Sequence, residues 1–386
     1  MTFPHRHQLD LDTFAACCQQ GVDLARFPHA ERAEQGILVY AGELFAEHSP
    51  VERSALLAEL NLALSDGPGV LVIQGAFADT GIIDAHSATL QELMAREAKT
   101  RIAGDHFAAA GANTRLWNAV QKAALADPDS FMAYYSNPAM HAVSEAWLGP
   151  GYQITAQVNV VHPGGAGQQP HRDYHLGFMT DEQAERYPLP VHRLSSLLTL
   201  QGAVAHSDMS VASGPTRLLP FSHQYELGYL AWRDSAFKAF FEDQAVQLPL
   251  QKGDQVWFNP ALFHAAGTNR TRDVQRMANL LQVSSAFGRA METVDRSAIS
   301  RAVFPRLRDA HASGELSKQA VLRVVATAAE GYPFPTSLDT DPPVDGLAPA
   351  SEQDVLLQAV LEGWSTEQCD RALTERLSAR AGPGED

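Results

Sequence analysis

The chain has 386 residues, of which 45% are hydrophobic and 19% charged, a balance typical of a globular protein with a large core. Its formal net charge is −16 and no stretch is strongly basic, which argues against a nucleic-acid or anionic membrane surface. Cys17, Cys18 and Cys369 have no metal-binding spacing and give no disulfide framework. The N-terminus lacks an apolar signal segment and no apolar run reaches the roughly 20 residues of a membrane span. We therefore expect a cytoplasmic protein.

The first part of the chain predicts helices around one buried strand. Residues 1–64 have the pattern of a helical or irregular lead-in that ends with helical spacing of apolar residues. The β-branched run VLVIQGAF (70–77) follows a Gly-Pro turn and predicts a buried strand. Start and stop signals predict helices at 50–65, 81–97 and 138–148.

From residue 152 the pattern changes to short strands separated by turns. The predicted strands are 152–161, 195–205, 216–222, 247–250, 255–258 and 277–283, with an aromatic helical insert at 223–246. Many short strands bounded by Gly, Asp or Pro indicate a β-sandwich or jelly roll. The pattern becomes helical again near residue 296, around a Pro-rich segment at 332–350, and it predicts a single final helix at 351–380. We expect a lead-in (1–64), a jelly-roll domain (65–295) and a C-terminal extension (296–386) that packs on the core.

The chain contains two His-x-Asp motifs, HRD (171–173) and HSD (206–208). Side chains two residues apart on an extended segment point to the same side, so an imidazole and a carboxylate can bind one metal ion. Chance alone predicts about one such match in a chain of this composition, so the motif by itself is weak. The context of each motif must therefore separate the two, and we interpret HSD as a surface turn.

The sequence after HRD supports a metal site there. The turn Gly253-Asp254 and the strand QVWF lead to NPALFH, which ends at His264, a possible third ligand. Two imidazoles and one carboxylate on one face of an octahedron leave three positions open, as in non-haem Fe(II) oxygenases. Arg276 begins the next strand, where its guanidinium could bind a carboxylate in a bidentate manner.

Over residues 65–290 these motifs resemble the phytanoyl-CoA dioxygenase-like family of Fe(II)/2-oxoglutarate-dependent oxygenases. The resemblance is carried by GVLVIQGAF (69–77), HRD (171–173), SGPTRLLPFSH (213–223), GDQVWFNPALFH (253–264) and Arg276. It implies an α+β fold whose core is a double-stranded β-helix, or jelly roll, with flanking helices. It also implies Fe(II), 2-oxoglutarate and O2 as the cofactor and co-substrates of a small-molecule oxidation.

The resemblance also implies roles for single residues. The implied iron ligands are His171, Asp173 and His264. The residues implied to contact 2-oxoglutarate are Arg276, at its C5 carboxylate, and Gln157 and Asn159. Chlorinating relatives carry a small residue at the position of Asp173, so an intact carboxylate implies hydroxylation or another C–H oxidation, with succinate and CO2 as products. The substrate and the oligomeric state are not indicated.

One turn departs from the family's pattern. The family usually has Pro-Gly-Ser-His where this chain has Pro220-Phe221-Ser222-His223. Because glycine reaches backbone conformations that phenylalanine rarely adopts, the resemblance does not determine the shape of this loop.

The residues alone leave two other classes open. One is a cupin-type metal-binding protein without oxygenase activity, which would keep the metal ligands but would not need Arg276. The other is a zinc or manganese cupin that acts as a hydrolase or isomerase.

Overall fold

The computed structural model describes residues 3–46, 48–100, 112–343 and 346–381. The lead-in contains α1 (Leu11–Cys18) and then two strands, β1 (Arg32–Glu34) and β2 (Ile37–Ala41). The prediction that the lead-in is helical or irregular is therefore wrong for the residues that form β1 and β2. Gln35 and Gly36 both have positive φ, as a tight hairpin turn requires. The apolar run that follows is buried in the main sheet.

The predicted helix at 50–65 is present as α2 (Pro50–Ser65). It begins at a capping box between Ser49 and Glu52, with Pro50 in its first turn, which explains why its start could be predicted. The elements that follow are β3 (Val70–Gln74), α3 (Gly81–Thr100), β4 (Asn113–Leu116), α4 (Ala119–Ala126), α5 (Pro128–Tyr135) and α6 (Pro138–Leu148). The predicted strand at 70–77 and the helices at 81–97 and 138–148 are thus confirmed.

The central part of the chain contains most of the strands. In order these elements are β5 (Gln153–Val161), α7 (Asp181–Ala184), α8 (Leu189–Leu197), β6 (Thr199–Ala205), β7 (Arg217–Leu218), α9 (Gly228–Ala231), α10 (Ser235–Gln244), β8 (Gln255–Phe258), β9 (His264–Ala265) and β10 (Arg276–Ser284). The strand predicted at 195–205 begins only at Thr199, because the preceding residues complete α8. The strand predicted at 247–250 is reduced to a single bridge between Leu250 and Met209.

The C-terminal extension is helical, as expected. Its helices are α11 (Arg296–Ala312), α12 (Lys318–Ala328), α13 (Glu352–Leu361) and α14 (Thr366–Ala381). The single helix predicted at 351–380 is therefore wrong. Gly363, which has positive φ, lies in the break between α13 and α14.

The strands form two facing sheets. The larger has eight strands in the order β1-β2-β3-β8-β6-β10-β5-β4, in which β2 and β3 run parallel and the other neighbours antiparallel. The smaller pairs β7 with β9, and isolated bridges such as His171–His264 extend it. This arrangement confirms the predicted α+β jelly roll.

The two faces of the larger sheet have different surroundings. The outer face packs against α2–α6 and α11–α13 in the largest cluster of buried apolar side chains. The inner face points toward the smaller sheet and borders a cavity of about 510 Å³. Among the described residues, no helix has the length and apolar character needed to cross a membrane.

Candidate active site

His171 and His264 lie opposite each other on two extended segments. The N–H of His171 donates to the carbonyl of His264 (3.0 Å), and the N–H of His264 donates to the carbonyl of His171 (3.2 Å). The centroids of the two imidazole rings are 4.4 Å apart. The N–H of Asp173 donates to the carbonyl of Pro260 at 3.3 Å. Backbone hydrogen bonds therefore fix the spacing of these three residues.

The ring nitrogens of both histidines are oriented by carbonyl groups. Nδ1 of His171 lies 2.9 Å from the carbonyl of Gln169, and Nδ1 of His264 lies 2.9 Å from that of Leu262. Because a carbonyl can only accept, each Nδ1 carries the proton and each Nε2 presents a lone pair.

These Nε2 atoms face the two carboxylate oxygens of Asp173. Nε2 of His171 is 3.5 Å from Oδ1, and Nε2 of His264 is 3.3 Å from Oδ2. All three ligand atoms lie within 4.8 Å of one another. Such spacings suit neighbouring positions on one metal ion with bonds of about 2.0–2.2 Å. The structure thus brings the three predicted ligands together.

The electrostatics of the cluster keep Asp173 and His171 deprotonated. Burial acts to raise the pKa of the Asp173 carboxyl, but the two imidazoles and a hydrogen bond from Gln201 lower it below its ordinary value. Burial lowers the pKa of His171, against the opposing effect of Asp173. At neutral pH the site therefore offers a carboxylate and a neutral His171 imidazole.

Arg172, between two of the predicted ligands, holds a neighbouring turn. Its guanidinium is buried and donates to the carbonyls of Ser222 (2.6 Å) and Tyr225 (3.0 Å). In this turn Phe221 has φ 65°, a left-handed conformation that favours glycine. Its side chain is buried and its N–H donates to the carbonyl of Pro68 at 2.8 Å. Phe221 thus adopts a glycine-like backbone conformation here.

Arg276 is a buried cation in the wall of the same cavity. It is 7% exposed, and its guanidinium makes no hydrogen bond or ion pair with the described parts of the chain. Burial lowers the pKa of Arg276 to about 10, so the group remains charged at neutral pH. A buried charge is costly unless it is paired, so this position suits an anionic ligand.

The other two predicted site residues also line the cavity. Asn159 lies opposite Ala278 on β10, and Gln157 lies opposite Leu280. The Oδ1 atom of Asn159 is buried and has no hydrogen-bond partner among the residues that the structure describes. Gln157 is already engaged, since its amide bonds to two side chains of the cavity wall.

Three residues that line the cavity were not predicted as site residues from the sequence. They are Arg115, Gln201 and Gln282. Each is a polar residue within a strand, and the signal that could have revealed the two glutamines is an amide in an otherwise apolar run. Arg115 lies in a stretch whose pattern predicted no element, so no strand was available on which to place it.

The second His-x-Asp motif is not a metal site. His206 is buried, with Nδ1 2.8 Å from the Ser87 hydroxyl and Nε2 2.9 Å from the Tyr134 hydroxyl. The interpretation as a surface turn is correct for the exposed Asp208 but wrong for His206. Apolar packing behind the sheet and two hydroxyl partners explain why this histidine is buried.

The sequence of residues 65–278 matches the family described as Phytanoyl-CoA dioxygenase (PhyH). This span is more than half of the chain. The chain belongs to the phytanoyl-CoA dioxygenase family. The resemblance inferred from the motifs is therefore confirmed, and the matched span includes all six predicted site residues.

Two fungal relatives carry names that describe their chemistry. Dioxygenase trt7 of Aspergillus terreus is 32% identical over 145 residues, which cover 36% of this chain and 45% of that protein. Iron/alpha-ketoglutarate-dependent dioxygenase ausU of Aspergillus calidoustus is 30% identical over 149 residues, which cover 37% and 44%. The chain thus spans less than half the length of these curated relatives.

The matches among solved structures are more distant in sequence. The non-heme alpha ketoglutarate dependent carbocyclase SnoK from nogalamycin biosynthesis is 18% identical, with a TM-score of 0.44, and the match covers 72% of this chain and 93% of that one. HygX from Streptomyces hygroscopicus, solved with nickel and 2-oxoglutarate bound, is 15% identical, with a TM-score of 0.41, over 61% and 90%.

Proposed function

We propose that this member of the phytanoyl-CoA dioxygenase family is an Fe(II)- and 2-oxoglutarate-dependent dioxygenase. It oxidises a C–H bond of a small organic substrate, by hydroxylation in the simplest case, and releases succinate and CO2. The observation that carries the proposal is the buried guanidinium of Arg276 in the same cavity as the three metal-ligand candidates.

The donor set fits iron. His171, Asp173 and His264 offer two imidazole nitrogens and one carboxylate from one side of the cavity, the set typical of non-haem Fe(II) sites with open positions. The amide of Gln201 donates to Oδ2 of Asp173, and this contact holds the carboxylate in place. When bound, Fe(II) and 2-oxoglutarate supply the O2 activation that a C–H oxidation requires.

The cavity also fits 2-oxoglutarate. Arg276 provides planar donors for the C5 carboxylate, and this ion pair relieves the cost of a buried unpaired charge. We propose that Asn159 and Gln157 contact the same co-substrate, because their strand positions lie between Arg276 and the metal end of the cavity. The apolar wall around them, which includes Val256 and Phe258, excludes water from the reaction.

The alternatives do not account for Arg276. A metal-binding module, or a zinc or manganese hydrolase, needs the three ligands but has no use for a buried guanidinium beside them. Such a charge would weaken the protein unless an anion accompanied it.

Binding of 2-oxoglutarate to the Fe(II)-loaded protein without O2 tests this function. We expect Arg276→Gln to weaken binding at least tenfold, because a charge-assisted bidentate contact is lost, while iron content stays the same. The exposed Arg270 is the matched control, and Arg270→Gln should leave 2-oxoglutarate binding and iron content unchanged. Iron-loaded protein that binds no 2-oxoglutarate, or binds it equally well in Arg276→Gln, would contradict the proposal. Under O2, succinate release that increases with a substrate is the second expected result.

A further inference from the structure

Two glutamine side chains lie next to each other at the metal end of the cavity. Gln201 of β6 and Gln282 of β10 are directly opposite in the antiparallel register, and both line the cavity. On its other side Gln201 lies opposite Phe258 of β8, whose ring centroid is 4.7 Å from that of His264. Because opposite residues of antiparallel strands point to the same face, the two amides together border the metal-ligand candidates.

Asp173 determines how the amide of Gln201 is turned. Nε2 of Gln201 lies 2.5 Å from Oδ2 of Asp173, and a carboxylate can only accept, so the NH2 group faces Asp173. Gln201 is 7% exposed, and its Oε1 atom is buried with no hydrogen-bond partner among the described residues. Because an unsatisfied buried acceptor is costly, this oxygen suits a ligand that donates to it.

The amide of Gln282 is turned by a neighbouring hydrogen bond. Nη1 of Arg115 donates to Oε1 of Gln157 at 2.9 Å, and a guanidinium can only donate, so the NH2 group of Gln157 faces Gln282. Nε2 of Gln157 donates to Oε1 of Gln282 at 3.1 Å. The NH2 group of Gln282 remains, and it meets no acceptor in the part of the chain that the structure describes. Gln282 thus presents a donor beside the acceptor of Gln201.

Other charged and amide side chains of the wall have partners within the protein. Arg172 donates to two backbone carbonyls. The side-chain oxygens of Gln168 and Gln169 accept hydrogen bonds from a backbone N–H and a lysine. Arg115 and Gln157 are bonded to each other. None of these groups therefore competes with the two amides at the metal end for a ligand.

Arg276 and Asn159 lie toward the opposite end of the cavity. Arg276 is on β10, six positions from Gln282 (282 − 276), which corresponds to about 20 Å of extended chain. Asn159 lies opposite Ala278 on the same strand, two positions from Arg276 (278 − 276). A 2-oxoglutarate carboxylate at Arg276 therefore leaves the amides of Gln201 and Gln282 free for another ligand.

The immediate surroundings of the two amides on the sheet are apolar. Their same-face neighbours are Phe258 on β8, Ala203 on β6 and Leu280 on β10, and all three line the cavity. A charged ligand group would find no counter-ion among these side chains, so the position suits a neutral group. A hydroxyl fits most simply, because one oxygen atom both donates and accepts.

We propose that Gln201 and Gln282 form a recognition pair for a hydroxyl group, and that the substrate is a largely apolar alcohol. Its O–H donates to Oε1 of Gln201, and its oxygen accepts from the NH2 group of Gln282. This inference rests on the proposed function, because it assumes that the metal and 2-oxoglutarate occupy their sites. The hydroxyl then determines which C–H bond of the substrate lies beside the metal.

Two probes of equal size test the recognition pair. One is 1-hexanol, whose oxygen donates and accepts, and the other is 1-methoxypentane, whose ether oxygen only accepts. Calorimetric titrations without O2 use protein loaded with Mn(II) and saturated with 2-oxoglutarate, so that no turnover occurs. Hexanol should bind about fivefold more tightly or better, because the ether leaves the oxygen of Gln201 without a donor.

Two variants separate the acceptor from the donor. Gln201→Leu removes the acceptor, so the advantage of hexanol over the ether should disappear. Gln282→Leu removes the donor that both probes use, so both should bind about fivefold more weakly while their ratio stays the same. A role of Gln201 limited to holding Asp173 would change metal affinity and leave the ratio of the probes unaltered. The matched control is Gln358→Leu on the exposed face of α13, which should change neither affinity.

The affinity for 2-oxoglutarate, measured in the same proteins, separates the two proposals. Unaltered protein that does not bind 2-oxoglutarate overturns the proposed function. If 2-oxoglutarate binds, the recognition pair alone is overturned by hexanol that does not bind or has no advantage over the ether, or by an advantage that persists in Gln201→Leu. Unchanged binding of both probes in Gln282→Leu overturns it too. So does a loss of 2-oxoglutarate binding in that variant, because Gln282 would then act on the co-substrate.

Discussion

Arg172 connects the proposed metal ligands to the turn that contains Phe221. Its guanidinium lies between the rings of Tyr229 and Phe263, 5.2 and 5.3 Å from their centroids, and holds two carbonyls of that turn. The space for it exists because residue 228 is glycine. A Cβ atom built on Gly228 would lie 1.9 Å from Cζ of Arg172.

Gly228→Ala should therefore displace Arg172. We expect the free energy of unfolding to fall by about 1–3 kcal/mol, the usual cost of overpacking a core, and metal affinity to fall with it. Urea unfolding and Mn(II) titration measure the two effects. Gly21→Ala is the control, because no atom lies within 4 Å of a Cβ at that position. Equal stability of the two variants would contradict the role given to Gly228.

Some residues of the candidate site could be predicted from the sequence and others could not. His171, Asp173, His264 and Arg276 could be predicted because each lies at a fixed place in a strand-and-turn motif. Arg115, Gln201 and Gln282 could not, because their place in the cavity wall depends on which strands are neighbours. Register across β6, β10, β5 and β4 is a tertiary property that no local pattern contains.

At the scale of elements, α11 connects the C-terminal extension to the sheet. Its first residue, Arg296, is buried and donates to the carbonyl of Ile154 on β5 (2.7 Å) and to that of Thr327 on α12 (2.5 Å). We propose that residues 296–386 are an extension that packs on the core of a jelly-roll domain at 65–295. The apolar cluster that is continuous from β5 to α11 and α12 supports this division.

Arg296→Met should loosen this connection. The change retains much of the side-chain volume but leaves two buried carbonyls without their donor, so we expect a loss of about 1–3 kcal/mol in the free energy of unfolding. Urea unfolding measures the loss, and limited proteolysis within 296–386 should become faster. Arg301→Met on the same helix is the control, because that side chain is 36% exposed and its ion pair with Asp370 lies at the surface. An equal effect of both changes would argue against a special role for Arg296.

The elements that were predicted incorrectly share a cause. Thr199 begins β6 directly after α8, and the apolar run there has no local signal that separates the last helical turn from the strand. β1 and β2 are short, and β2 becomes a strand by pairing with β3, which is distant in sequence. Elements with strong local boundaries, such as the capping box of α2, were predicted correctly.

At the scale of the whole molecule, several histidines are buried, and in the described parts of the chain their hydrogen-bond partners are hydroxyl and carbonyl groups rather than carboxylates. Burial lowers the pKa of His141 and His206 to about 3 and that of His223 to about 4. The folded protein therefore keeps these imidazoles neutral, whereas the unfolded chain protonates them below about pH 6.5. Their stabilising effect is complete above pH 6.5 and is progressively lost as the pH falls toward the folded values.

The protein should accordingly lose stability steeply in mild acid. Each such histidine contributes about 1.4 kcal/mol per pH unit below pH 6.5. His206→Gln should reduce the slope of unfolding free energy between pH 6 and about 4.5 by that amount, even though it weakens the protein at neutral pH. Urea unfolding at several pH values gives the slopes, and His7→Gln, at an exposed position, is the control. An unchanged slope in His206→Gln would be inconsistent with this account.

The paired backbone hydrogen bonds between His171 and His264 have a consequence for metal exchange. Because main-chain contacts set the separation of the two imidazoles, the ligands do not need the ion to assemble them. Chelation should leave an intact apoprotein, and a second divalent metal should enter without refolding. Spectroscopically useful substitutes such as Co(II) could then report on the same coordination sites in solution.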